Sequence, residues 1–331
     1  MKFISLVFLF SILSFNLKAQ GNLPESYLEG KSVVLISSDP SARPAMEWRS
    51  LADSIHPYLV ESGGDPVGYF ELEQISLSEA TLAEFATALA QRKVKNVVFV
   101  TRQKNACQVH IGPFSGDAKV VSTTSIFGIK ASDWKSAGLQ LEGIGKQKQS
   151  KNLLVIDVAE FPLLNSTSNS GGAVGSLDFL PRNPLNLDVF KLGIPLEGTS
   201  AETGMVSFFR YDLLGKTQEA ILAEQATQKS QIQEIISQVY PHQVEWLTES
   251  RPAQELIRER VQFLLVKVEG RQADLMKSMG FDPLGGEEGS QTVVKYYIKL
   301  LVRDELYIGP VWDAHPDWRV ALRQFLENLK K

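Results

Sequence analysis

The apolar residues of this chain fall into short runs that alternate with stripes at helical spacing, the pattern of an α/β protein. The run "KSVVLISS" (31–38) is β-branched and predicts a buried strand. Residues 45–61 then carry Trp48, Leu51, Ile55, Tyr58 and Leu59 three or four apart, the stripe of an amphipathic helix. "SGGD" (62–65) stops that helix, and "PVGYF" (66–70) predicts the next strand. Ser76 and Glu79 stand three apart ahead of an Ala- and Leu-rich stretch, which predicts a capping box. The second helix then runs to about residue 92, with Leu82, Phe85, Ala86 and Leu89 on one face. "NVVFVT" (96–101) predicts a strand and "CQVHI" (107–111) its hairpin partner. "NLLVIDVAEF" (152–161) is almost wholly apolar and predicts a central strand.

A shift in composition follows. "NSTSNSGGAVGS" (165–176) has too little apolar content to order itself, and Pro181, Pro184 and Pro195 extend the irregular stretch. "MVSFFRYD" (205–212) predicts the first strand of a second half. A Gln-rich helix over 217–240 carries Ile232, Ile235, Ile236 and Val239 in its last turns and stops at Pro241. "QVEWL" (243–247), "VQFLLVKV" (261–268) and "VVKYYIKLLV" (293–302) are further strands, with a helix around 253–260 between the first two.

The halves echo each other. "HIGPF" (110–114) answers "YIGPV" (307–311), and "DWK" (133–135) answers "DWR" (317–319), each DW opening a last helix. The expected fold is α/β (or α+β): two similar mixed-sheet modules with flanking helices and an internal duplication. Their expected extents are residues 28–161 and 200–331, joined by a Gly/Ser/Pro-rich linker over 162–199. The stretch "IGPF" resembles the strand of sporulation-related peptidoglycan-binding repeats over four residues. No helix and hairpin continue that likeness, so it implies no residue role.

The N-terminus changes the picture of where the chain works. Lys2 precedes an apolar run to Leu17, shorter than the roughly 20 residues a spanning helix needs, and Ala19 offers a small residue for cleavage. Residues 1–19 therefore predict a signal peptide and an exported, periplasmic or extracellular chain. No Cys follows the expected cut to carry a lipid, and no later run is long enough to span a membrane. Losing Lys2 and Lys18 takes the formal charge from −4 to −6, with −3 in each half. So even and mild an acidity argues against a nucleic-acid partner. Cys107 is the one cysteine, so no internal disulfide forms and a packed core must supply the stability.

The familiar reaction motifs fail one at a time. "LLGKTQEA" (213–220) has Arg210 where a phosphate loop needs its first Gly, so its amides cannot wrap a phosphate. Cys107 and His110 on one strand, three apart, point to opposite faces and cannot form a thiol–imidazole pair. His56, His110, His242 and His315 lack ligand spacing, and "DPLGGEEGS" (282–290) lacks the alternating oxygens of a calcium loop. There is no G-x-S-x-G elbow. The reading therefore expects no catalytic residue, no metal and no cofactor.

One placement for a ligand remains. Open α/β sheets gather ligands beyond the carboxyl ends of their strands. Ser37, Ser38, Asp39 and Arg43 follow the first strand, and Asp157 stands late in the expected strand at 152–161. These five are the candidate ligand-binding set. The leading expectation is a non-catalytic envelope protein that binds or scaffolds, with another envelope protein as partner. The alternative is a periplasmic enzyme or small-molecule-binding protein with its site between the two modules.

Overall fold

A computed structural model describes residues 21–39, 42–77, 79–121, 126–162, 180, 182–183, 185–196, 218–249, 251–303 and 305–329. A short 3-10 turn, Glu25–Leu28, precedes the first sheet. That sheet contains β1 (Lys31–Ser38), β2 (Asp65–Glu71), β3 (Asn96–Gln103), β4 (Ala106–Pro113) and β5 (Phe127–Ala131). Its order is β2-β1-β3-β4-β5. β1 runs parallel to β2 and β3, while β4 is antiparallel to both β3 and β5. The helices are α1 (Trp48–Glu61), α2 (Leu72–Ile75), α3 (Glu79–Gln91) and α4 (Trp134–Gly145).

Residues 32–36 of β1 are all buried because helices cover both faces of its sheet, which is why the run is continuous and not alternating. On one face Val34, Ile36, Val98 and Val100 meet Leu51, Ile55 and Leu59 of α1 and Leu141 of α4. On the other, Val33, Leu35, Val97 and Phe99 meet Leu82, Phe85 and Leu89 of α3. α4 crosses α1 so closely that a Cβ on Gly145 would strike the backbone of Ser62.

The second sheet contains β6 (Lys191–Pro195), β7 (Val244–Leu247), β8 (Val261–Arg271), β9 (Thr292–Leu300) and β10 (Glu305–Tyr307). Its order is β10-β9-β8-β6-β7. β6 is parallel to β7 and β8, and β9 is antiparallel to β8 and β10. Matching β6 to β1, β7 to β2 and so on reproduces every neighbour and every direction of the first sheet. The helices of this half are α5 (Gln218–Val239), α6 (Ala253–Arg258), α7 (Gln272–Ser278), α8 (Gly286–Ser290) and α9 (Trp318–Asn328). α5 and α9 share one face of their sheet as α1 and α4 share theirs. The fold is α/β, two similar mixed-sheet modules whose common topology fits a duplication.

Several expectations need correction. Residues 152–161 form no strand; only one backbone bond, Tyr69 N to Glu160 O at 2.9 Å, ties this stretch to β2. Ser76 does not open α3; its hydroxyl donates to Leu72 O at 2.8 Å and closes α2. β6, inside the stretch expected as linker, is the second sheet's counterpart of β1. The expected strand at 205–212 and the loop at 165–176 lie outside the described residues.

The two echoes also fare differently. Asp133–Trp134 and Asp317–Trp318 each open the helix after the fifth strand, so the DW pair is topologically equivalent. Gly112–Pro113 ends a fourth strand, whereas Gly309–Pro310 follows a fifth, so the IGP pair is not. Asp317 caps α9, and Asp313, four residues earlier, lies buried against Lys295 at 2.6 Å. His315 accepts the Asp317 amide on Nδ1 at 2.9 Å.

Candidate functional site

Strand parity divides the carboxyl end of the first sheet into two polar groups. Ser37 and Thr101 are partners across β1 and β3, as are Ser38 and Arg102. Alternation then places Ser37 and Thr101 with Leu35 and Phe99 on the α3 face. Ser38 and Arg102 fall with Ile36 and Val100 on the α1 face, as does Cys107, the partner of Arg102 across β4.

On the α3 face the Ser37 hydroxyl donates to Glu73 Oε1 at 2.5 Å, and both residues are buried. α2 positions Glu73 because it starts directly after β2 and turns its first residues over the sheet's end. The Thr101 hydroxyl donates to Gln108 Oε1 at 3.4 Å. At the rim Glu71 ion-pairs with Arg271 of β8 at 2.5 Å, and Arg271 also lies 3.1 Å from Asp274. Burial, then the neighbouring Glu73 charge, pushes the Glu71 carboxyl up to about 7, with Arg271 opposing. Beside this pair Leu77 packs with Val266, Val268 and Leu275 of the second half. The first sheet's carboxyl end is thus also where the two modules touch.

On the α1 face Arg102 Nη2 donates to Pro44 O at 2.8 Å, fixing the guanidinium under the chain that leads into α1. Asp39 N donates to Arg102 O, and Ala42 N to Asp39 O, each at 2.9 Å. Arg43 is exposed and its Nη1 donates to Ala42 O at 2.9 Å. The amides opening α1 are already capped: Glu47 Oε2 accepts from Arg49 N at 2.6 Å. Burial pushes the Cys107 thiol up to about 12, so it is neutral at ordinary pH.

Of the five candidate residues, Ser37, Ser38, Asp39 and Arg43 come together at this end of the sheet. Asp157 does not; it is exposed, next to the Ile156 carbonyl that meets His56 Nε2 at 2.9 Å. Sequence reasoning missed Arg102, Glu71, Glu73 and Arg271. The carboxyl-end rule applied to "NVVFVTR" as it was to "VVLISSD" would have found Arg102. Nothing local signals Arg271, whose role depends on the packing of one module on the other. Among the described residues no group of three or more His, Cys, Asp or Glu is arranged to hold a metal ion. No helix among them is long and apolar enough to cross a membrane.

A second surface stands out. Leu153 is 88% and Leu154 95% exposed, and Val158 65%. The backbone beneath them is pinned. Asn152 Nδ2 donates to Gly63 O at 2.9 Å, Ser150 Oγ donates to Gly63 O at 2.7 Å, and Phe161 stacks edge-on against Trp48. Comparison with known protein families, with curated proteins and with solved structures finds no match to this chain.

Proposed function

We propose that the chain is an exported envelope protein that works by binding another protein and not by catalysis. The observation that supports this most is the strip Leu153, Leu154 and Val158. Two adjacent leucines almost wholly in water, on a backbone held at both ends, are displayed rather than loose. Burying each such side chain is worth roughly 1.5–3 kcal/mol, enough to anchor a partner with an apolar surface of its own. The signal-like N-terminus supports the envelope as the place of action. The test is capture from envelope extracts by the tagged chain and by a variant carrying Leu153→Ser, Leu154→Ser and Val158→Ser. A partner held by the first and lost by the second, at equal melting midpoint, is expected. A partner set that the triple variant retains would overturn the reading.

One observation favours a second reading, a small-molecule-binding protein or enzyme with its site at the module junction. Glu71, with a carboxyl that titrates near 7 beside buried Glu73, is suited to acid–base work. A thermal-shift screen with sugars, nucleotides, amino acids and divalent metals tests it. A hit abolished by Glu71→Gln would support it, and a blank screen would remove it.

A further inference from the structure

Arg102 is only 5% exposed, and among the described residues no carboxylate ion-pairs with it. Its Nη2 has one neutral acceptor, Pro44 O. Among the described residues its Nη1 is buried with no hydrogen-bond partner, and so is the hydroxyl of Ser38, the residue directly across from it on β1. Trp48 Nε1, at the start of α1, is a third buried donor without a hydrogen-bond partner among the described residues. Among the described residues nothing compensates this buried guanidinium. A buried charge without a partner is costly, and a bound anion would supply the missing countercharge.

The topology says where that anion would sit. β1 leads through α1 to β2 on one side, and β2 leads through α3 to β3 on the other, with α1 and α3 on opposite faces. The winding therefore reverses between β1 and β3, and ligands of open α/β sheets bind beyond the carboxyl ends at such a reversal. Ser38 and Arg102 stand at that end of these two strands. The amides of α1 are not available to an anion, because Glu47 already occupies them.

We propose that this end of the sheet takes up a small molecule through an oxyanion group, carboxylate or phosphate, which displaces the covering chain and is held by Arg102 Nη1 and Ser38 Oγ. The Arg fork takes one oxygen while the serine hydroxyl donates to the same or a neighbouring one. The proposal is independent of the protein-binding strip, so either can fail without the other.

The experiment uses the full chain and two probes, inorganic phosphate and acetate, against chloride at equal ionic strength. A saturable rise of the melting midpoint with phosphate alone identifies a phosphoryl ligand, and with acetate alone a carboxylate. A rise with both supports the shared chemistry. In Ser38→Ala, a small change that leaves the core intact, the affinity for the active probe is expected to fall about tenfold, the loss of one hydrogen bond to a charged group. In Arg102→Met the response is expected to vanish, while the midpoint without added anion stays level or rises, because an uncompensated charge has gone. Two outcomes would overturn the proposal: no saturable response to either probe, or an anion-free midpoint that collapses in Arg102→Met, which marks the arginine as structural.

Discussion

Asp133 and Asp317 hold the same post in the two modules. Each is the last residue before the helix that follows the fifth strand, and each accepts a first-turn amide at 2.8 Å, Ser136 N in one and Arg319 N in the other. An N-cap of this kind is worth about 0.5–2 kcal/mol. Asp133→Ala and Asp317→Ala should each lower stability by that amount in urea unfolding, while Asn at either position should cost less. Equal losses for Ala and Asn would mean that charge, and not the cap hydrogen bond, does the work.

Lys295 and Asp313 form a wholly buried pair whose polar atoms are otherwise satisfied. Lys295 Nζ also donates to Tyr296 O and Ile308 O at 2.9 and 2.7 Å, and Asn328 donates to the other carboxylate oxygen at 3.0 Å. Lys295→Met alone leaves an anion in the core and should cost about 3–5 kcal/mol. The double variant Lys295→Met, Asp313→Leu should lose less than Lys295→Met alone. A double-mutant cycle measures this, and additive losses would contradict it.

The Glu71 carboxyl, ordinarily near 4.5, rises to about 7 in the fold. Between those values the folded chain keeps a proton that the unfolded chain has released. The associated stability is therefore complete below the unfolded value and is lost as pH climbs through 7. From about pH 5 to about pH 8 the wild-type melting midpoint should fall relative to Glu71→Gln. A constant difference between the two over that range would contradict the shift.

Lys93 and Arg260 both adopt positive φ, 56° and 67°, at the turn between a helix and the third strand of their module. A side chain in that conformation costs ~1–2 kcal/mol, which glycine avoids. Lys93 is exposed, and Lys93→Gly should stabilise the chain by up to about 1 kcal/mol. Arg260→Gly should gain less, because Arg260 also donates to Val189 O at 2.9 Å and lies over the Phe190 ring. Thermal unfolding of the two variants should separate them.

What the sequence made legible follows from what each signal depends on. β1, β3, β4 and α1 were readable because their burial is set by local period, a β-branched run or a stripe at 3–4 spacing. The DW echo was readable because a cap and its helix are adjacent in the chain. "NLLVIDVAEF" misled for a physical reason: an apolar run says that side chains would be better out of water, not what covers them. Here Asn152 and Phe161 anchor the ends while Leu153 and Leu154 face solvent. The Glu71–Arg271 pair joins positions two hundred residues apart. It arises only once both sheets exist and their ends meet, and no window along the chain contains it.

The proposal that the strip is a protein-binding surface is tested most directly by placing a photoreactive residue at position 154 of the full chain and irradiating whole cells that express it. The same residue at exposed Gln324, on α9 of the other module, serves as control. A discrete adduct to one partner from position 154 and none from 324 is the expected result. No adduct from 154, or the same adducts from both positions, would contradict the account.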